Sequence, residues 1–167
     1  ALIIADAPYQ IGDFIVLDSG ERGEVTHIGI RSTRIQTPTD IEITIPNAIM
    51  GNTKIINESG GPSKKSGTLV NVGVAYGSDI DQVKKILLDE ATANIEVCKD
   101  PKPSVRFRQF GASSLDLDLW FWIEDPSQRG RMTDALNTAI YKRFQAENIE
   151  IPYSKQDIFI KELPVQK

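Results

Sequence analysis

The stretch from Asn57 to Gly67, with the sequence NESGGPSKKSG, separates two parts of the chain that have different hydrophobic patterns. Glycine, serine, proline and clustered charge are typical of linkers between domains. Before this stretch the chain is rich in short β-type runs, and after it strand and helix patterns alternate. A chain of 167 residues is long enough for two small domains with cores of their own. We therefore predict a linker over residues 58–66.

Residues 8–57 are predicted to form a small β-barrel or sandwich. The strand candidates are separated by turn residues and lie at 14–17, 23–30, 33–36 and 41–45. In the last of these, isoleucines at 41, 43 and 45 alternate with Glu42 and Thr44, as expected for a half-buried strand. A unit of about 50 residues buries a modest core, so packing against a neighbour would stabilise it.

Residues 67–167 are predicted to follow the order strand, helix, strand, strand, helix, strand, which is the ferredoxin-like plan. The first helix would be capped by Ser78 and would bury Ile80, Val83, Leu87 and Ala91. The second would begin after Pro126, end near Asn148, and bury Met132, Leu136, Ile140 and Phe144.

The two central strands are predicted to pair as a hairpin around the Gly111–Ser114 turn. Its apolar side, which we expect the helices to cover, carries Leu115, Leu117, Leu119, Phe121 and Ile123. With Gln109 opposite Leu115, two oppositely charged pairs form across the strands: Arg108 with Asp116, and Arg106 with Asp118. Trp120 and Trp122 fall on this charged side, where either a partner surface or the chain's own termini would cover them.

The residues that most often carry chemistry are scarce. The single cysteine, Cys98, forms no internal disulfide, fits a reducing compartment and is predicted to be a buried thiol rather than a nucleophile. The single histidine, His27, lies among apolar residues of a predicted strand, which favours a structural role. A net charge of −4 without a dense cationic run argues against nucleic-acid binding. We predict no catalytic, cofactor-binding or metal-ligating residues.

Several segments resemble, in the same order, those of the small-conductance mechanosensitive channel (MscS-like) family. The first is Pro8–Asp13, a proline-aromatic-x-x-glycine-acid segment that follows the pore-lining helix in that family. The others are Gly23–Val25, Ile28 with Arg31, Thr33 and Arg34, Ile45–Asn47, Ile55–Asn57, Val72–Val83, Gly111–Ser114 and Ile151–Tyr153.

The resemblance implies an Sm-like small β-barrel followed by an α+β ferredoxin-like domain, with no catalytic chemistry, cofactor or metal. It implies a homo-oligomer, a heptamer in the family, whose cytoplasmic domains enclose a vestibule that admits ions and small solutes during osmotic shock. It also implies a pore gated by membrane tension and a full-length protein that lies in the cell membrane. Membrane helices are expected before Ala1, with residues 1–7 as the tail end of the pore-lining helix or simply the cut start of the chain. Because the chain runs only to Lys167, the family's terminal strand barrel is expected to be reduced, absent or truncated.

Two other classes of protein share parts of this pattern. An Sm-like RNA-binding module would also be a small β-barrel, but residues 1–66 carry six Lys and Arg against eight Asp and Glu. A ferredoxin-like enzyme or ligand-binding module would need a phosphate loop, a metal-ligand spacing or a nucleophile with a base, and the sequence offers none of these patterns.

Overall fold

The computed structural model describes residues 8–60 and 64–161. The strands are β1 (Phe14–Leu17), β2 (Arg22–Ile28), β3 (Ser32–Gln36), β4 (Glu42–Pro46), β5 (Ile55–Asn57), β6 (Ser66–Val74), β7 (Ser104–Phe110) and β8 (Leu115–Ile123). The helices are α1 (Asn47–Met50), α2 (Ile80–Ala93) and α3 (Arg129–Ala146), and a 3₁₀ turn, Pro126–Gln128, precedes α3.

The first five strands form one antiparallel sheet in the order β4-β3-β2-β1-β5, which confirms the predicted β domain. The alternation of buried and exposed residues explains why these segments form strands with one face on a core. In β2, Gly23 and Val25 are buried while Glu24 and Thr26 face solvent. The core contains Tyr9, Ile15, Leu17, Val25, Ile35, Ile45 and Met50. A bulge between Val25 and His27 shifts the pairing of β2 with β3.

The remaining strands form a second antiparallel sheet in the order β6-β8-β7. The leucine side of β8 packs against both helices, as predicted, and the four residues expected to be buried on α3 are buried. On α2, Val83, Leu87 and Ala91 are buried with Ile86, while Ile80 is half-buried against the same core. Two independent hydrophobic clusters therefore support the two sheets.

The predicted strand after α3 does not form within residues 149–161. Beyond the αL residue Asn148, whose φ is 56°, this stretch contains no strand. The backbone N–H of Ala75 donates to the Glu150 carbonyl at 2.9 Å, next to the open edge of β6. Pro152 has no N–H to donate, so it cannot contribute to a ladder on this edge.

The predicted helix cap is wrong by one residue. Asp79 caps α2, since its carboxylate accepts hydrogen bonds from the backbone N–H groups of Asp81 and Gln82. The Ser78 hydroxyl donates to the Ala75 carbonyl at 2.7 Å, and Gly77 adopts a φ of +92° in the turn. Ser78 therefore belongs to the turn that leads into the helix.

The hairpin register is half right. Arg106 is paired with Asp118 as predicted, but a bulge between Phe107 and Gln109 places Gln109 opposite Asp116 and Phe110 opposite Leu115. Arg108 therefore does not face Asp116. Its Nε instead lies 2.6 Å from an Asp118 carboxylate oxygen.

Candidate functional site

The single histidine and the single cysteine, His27 and Cys98, lie in different domains. His27 is exposed on β2 beside the bulge. Cys98 is buried, and its thiol donates to a Glu124 carboxylate oxygen at 3.6 Å. Burial, followed by the negative charge of Glu124, raises the pKa of the Cys98 thiol, so the thiol stays protonated at neutral pH. A carboxylate in that position stabilises the protonated thiol rather than an attacking thiolate.

Within residues 8–60 and 64–161, no three His, Cys, Asp or Glu side chains come together in a way that could hold a metal ion. In the same part of the chain no helix has both the length and the apolar character needed to cross a bilayer.

The tryptophan face of the second sheet is only partly covered by its own chain. Trp120 and Trp122 are half-buried, and they lie opposite Leu69 and Gly67 of β6. The Arg106 guanidinium lies 5.6 Å from the centre of the Trp120 ring, a cation–π contact. The Trp120 indole N–H is buried without a hydrogen-bond partner among the described residues. Cover by the termini concerns residues 1–7 and 162–167, which lie outside the described residues.

Ion pairs connect the two helices on the other side of the sheet. Arg143 of α3 contacts Glu90 of α2 at 3.1 Å and Glu147 at 2.5 Å. Hydrogen bonds from Arg143 and then Gln82 lower the pKa of Glu147, while the two glutamates raise the pKa of Arg143. These ion pairs join α3 to α2.

A second ion pair joins α3 to the loop after α2. Arg131 donates two hydrogen bonds to the Glu96 carboxylate, at 2.7 and 2.8 Å. This bidentate contact lowers the pKa of Glu96 and raises that of Arg131. It borders a cavity of about 400 Å³ beside Cys98 and Met132.

Polar side chains gather at the side of the β domain that faces the second sheet. A cavity of about 350 Å³ lies there, lined by residues that include Gln10, Asp13, Ser59, Lys64 and Glu124. The buried Asp13 carboxylate accepts from the Gln10 N–H at 2.9 Å and from the Asn57 amide at 2.8 Å. These bonds connect the entry of the chain into β1 with the end of β5.

Glu58 lies between the two sheets. Its two carboxylate oxygens contact Arg22 at 3.1 Å and Arg129 at 3.0 Å, so one side chain bridges β2 and the start of α3. Sequence reasoning missed this bridge, because its members lie 36 and 71 residues apart and share no local pattern.

Known proteins match this arrangement along nearly the whole chain. Residues 1–60 match the family described as "Mechanosensitive ion channel, beta-domain", and residues 69–151 match "Mechanosensitive ion channel MscS, C-terminal". The chain belongs to the MscS family of mechanosensitive ion channels. The resemblance in the ordered segments is thereby confirmed, as is the fold class.

Two relatives in this family are 33% identical to the chain. One is an uncharacterized MscS family protein of Haemophilus influenzae, which matches 96% of this chain, and the other is the mechanosensitive channel MscK of Escherichia coli, which matches 95%. The chain spans only 14% of the length of either relative.

Two solved structures share the fold of this chain. The crystal structure of Helicobacter pylori MscS in its closed state superposes with a TM-score of 0.83 at 27% identity, covering 97% of this chain and 63% of that one. Arabidopsis thaliana MSL1 superposes with a TM-score of 0.65 at 15% identity over 90% of this chain and 55% of that one, a likeness of fold alone.

Proposed function

We propose that this chain is the cytoplasmic vestibule region of a tension-gated channel subunit. The observation that carries the proposal is the match of both domains, in order, to the closed-state H. pylori MscS structure. A likeness over one small β domain would also suit unrelated ring-forming modules, whereas a likeness over both domains in sequence favours the channel.

The proposal includes assembly with identical subunits. In this view the β domains form a ring below the pore, and the α+β domains enclose a space that ions and small solutes enter before reaching the pore. A heptamer is the state that the family resemblance implies. The half-covered Trp120 and Trp122 would then have subunit neighbours, which fits a buried indole N–H without a partner.

The proposal also retains the sequence-based division into residues 8–57, a linker over 58–66, and residues 67–167. We assign this region a mechanical role and no catalytic residue. The full-length protein would lie in the cell membrane with this region in the cytoplasm. The RNA-binding alternative has less support, because the chain is acidic overall and its arginines are engaged by carboxylates in several places.

The test uses the full-length subunit in cells that lack their own mechanosensitive channels. We expect tension-activated current in patches and survival of osmotic downshock. Changing His27 or Cys98 to Ala should leave both intact, because neither side chain belongs to a site. Changing Gly23 to Glu should abolish both, because the new side chain would clash with the backbone of β3.

A full-length protein that folds and inserts but passes no current under tension would contradict the channel function. Salt-dependent, tight binding of RNA by the 167-residue chain would favour the alternative instead.

A further inference from the structure

No apolar cluster of described residues spans the two domains, whereas each domain is held together by an apolar core of its own. One core surrounds Ile15, Val25 and Ile35, and the other surrounds Leu117 and Phe121. No residue of the described chain belongs to both clusters, and the cavity of about 350 Å³ between the domains is lined by charged residues together with Phe14 and Pro126. Domains joined by a polar interface are free to move unless specific contacts hold them. Their relative orientation therefore depends on a small number of polar contacts.

The Glu58 bridge, consisting of Glu58, Arg22 and Arg129, is the contact best placed to hold them. Glu58 is fixed to the β domain by its backbone, since its N–H donates to the Phe14 carbonyl at 2.8 Å. Its carboxylate accepts from Arg22 on one oxygen and from Arg129 on the other. The Glu58 side chain is only 13% exposed, so both ion pairs form at a largely desolvated carboxylate.

Each arginine also makes further contacts, of which the hydrogen bond from Arg22 to Pro126 crosses between the domains. The Arg22 guanidinium lies 4.6 Å above the Phe14 ring and donates to the Pro126 carbonyl at 3.2 Å. Arg129 donates to the Ser66 hydroxyl at 3.0 Å, at the first residue of β6. The bridge thus joins β2, the chain after β5, the start of β6 and the entrance to α3.

We propose that the Glu58 bridge sets the orientation of the β domain relative to the α+β domain, and that rising ionic strength loosens it. The two arginine side chains are 30% and 32% exposed, so mobile ions can reach them. The screening length falls from about 30 Å at 0.01 M salt to about 3 Å at 1 M, which is comparable to the length of the ion pairs. At low salt one orientation dominates, and at high salt the two domains sample a wider range of orientations.

The charges around the bridge do not replace it. Glu24, Glu124, Asp125 and Lys64 line the neighbouring cavity, whereas the ion pair between Glu58 and Arg129 reaches from the chain after β5 to α3. If the proposed channel function holds, dilution of the cytoplasm during osmotic downshock would tighten the bridge. That consequence rests on the proposed function, whereas the orientation itself can be measured on the 167-residue chain.

The experiment measures the distance between the two domains by pulsed electron paramagnetic resonance. Spin labels are attached at Thr44→Cys on β4 and Thr138→Cys on α3, both exposed positions, with Cys98 changed to Ala. Labelled chain is diluted with unlabelled chain so that only distances within one subunit are seen. Spectra are recorded at about 0.01 M and about 1 M salt, the range over which screening changes most.

We expect a narrow distance distribution for the otherwise unchanged chain at low salt and a broader one at high salt. Glu58→Gln should give the broad distribution at both salt concentrations. Glu42→Gln is the matched control, because it removes the same charge from a pair with Arg34 that lies within one sheet, at 3.9 Å. It should behave like the unchanged chain.

A second variant protects the test against misfolding. Arg22→Gln combined with Arg129→Gln removes both cations and keeps Glu58, and it should also give the broad distribution at both salts. Circular dichroism identifies which variants are folded. A folded variant of either kind with the narrow low-salt distribution of the unchanged chain would overturn the role of the bridge. A distribution of the unchanged chain that is the same at both salts would overturn its sensitivity to ionic strength.

Discussion

Gly23 shows at the scale of one residue how closely β2 and β3 approach each other. A Cβ atom placed on Gly23 would lie 2.5 Å from the carbonyl oxygen of Gln36 and 2.8 Å from its carbonyl carbon. Both atoms belong to the backbone of the paired strand, so no side-chain rotation can relieve the contact. Gly73 offers a comparison within the other sheet, where the nearest atom to such a Cβ is the Ser114 Cβ at 3.3 Å.

We expect Gly23→Ala to destabilise the chain by about 1–3 kcal/mol, the usual cost of forcing extra atoms into a packed position. Gly73→Ala should be closer to neutral, because a contact of 3.3 Å needs a shift of only a few tenths of an ångström and alanine is better than glycine in a strand. Urea unfolding of the two variants and the parent chain measures the difference. Equal loss of stability in both variants would show that the β2–β3 approach does not limit this position.

Single residues also show where local sequence patterns reach their limit. Burial on α3 could be predicted, because its four core residues recur at helical spacing. The cap of α2 could not be assigned correctly, because Ser78 and Asp79 are adjacent and both are good capping residues. The choice is made by Gly77, whose positive φ turns the chain so that Asp79 reaches the first helical N–H groups.

At the scale of an element, the β7–β8 hairpin combines a predictable face with an unpredictable bulge. Alternation along β8 identified its buried side correctly, since every second residue from Leu115 to Ile123 is apolar and buried. Alternation along β7 gives no sign that one residue is unpaired, because the bulge leaves the residue types on either side unchanged. The bulge moves Arg108 away from Asp116 and brings it to Asp118, which is only 8% exposed.

The hairpin therefore predicts a specific pattern of energetic coupling. Arg108→Gln and Asp118→Asn should show a coupling of about 0.5–1 kcal/mol in a double-mutant cycle, the range for a pair with one exposed partner. Arg108→Gln and Asp116→Asn should be additive, because Asp116 accepts from the Ser114 hydroxyl at 2.6 Å instead.

Urea unfolding of the single and double variants provides both cycles under one set of conditions. Raised salt should reduce the first coupling, since half of the Arg108 side chain is exposed. Stronger coupling of Arg108 to Asp116 than to Asp118 would restore the unbulged register.

At the scale of the whole molecule, the two-part plan and the family could be predicted, while the contacts between the parts could not. The change of composition after Asn57 predicts the two parts, and the ordered motifs along the chain predict the family. The Glu58 bridge depends on residues from β2 and α3 that meet only after both domains have folded. The absence of the predicted strand from residues 149–161 is a further limit, because pairing at the open edge of β6 depends on the path of the chain after Asn148.

Limited proteolysis tests the division of the chain into two domains joined at residues 58–66. The flanks of this stretch are held, on one side by the ion pairs of Glu58 and on the other by the pairing of Ser66 with Ile123. Gly60 and Lys64, between them, are exposed. Proteases need several residues of accessible, extendable backbone, so trypsin should cut first after Lys64 or Lys65. Mass spectrometry should then find fragments 1–64 or 1–65 with their complements before any others.

The lysines at 84 and 85 provide the internal control, because they lie within α2, whose backbone is hydrogen-bonded and packed on the second core. A first cut at either of them would place the weakest point of the chain inside the α+β domain and would contradict the predicted boundary.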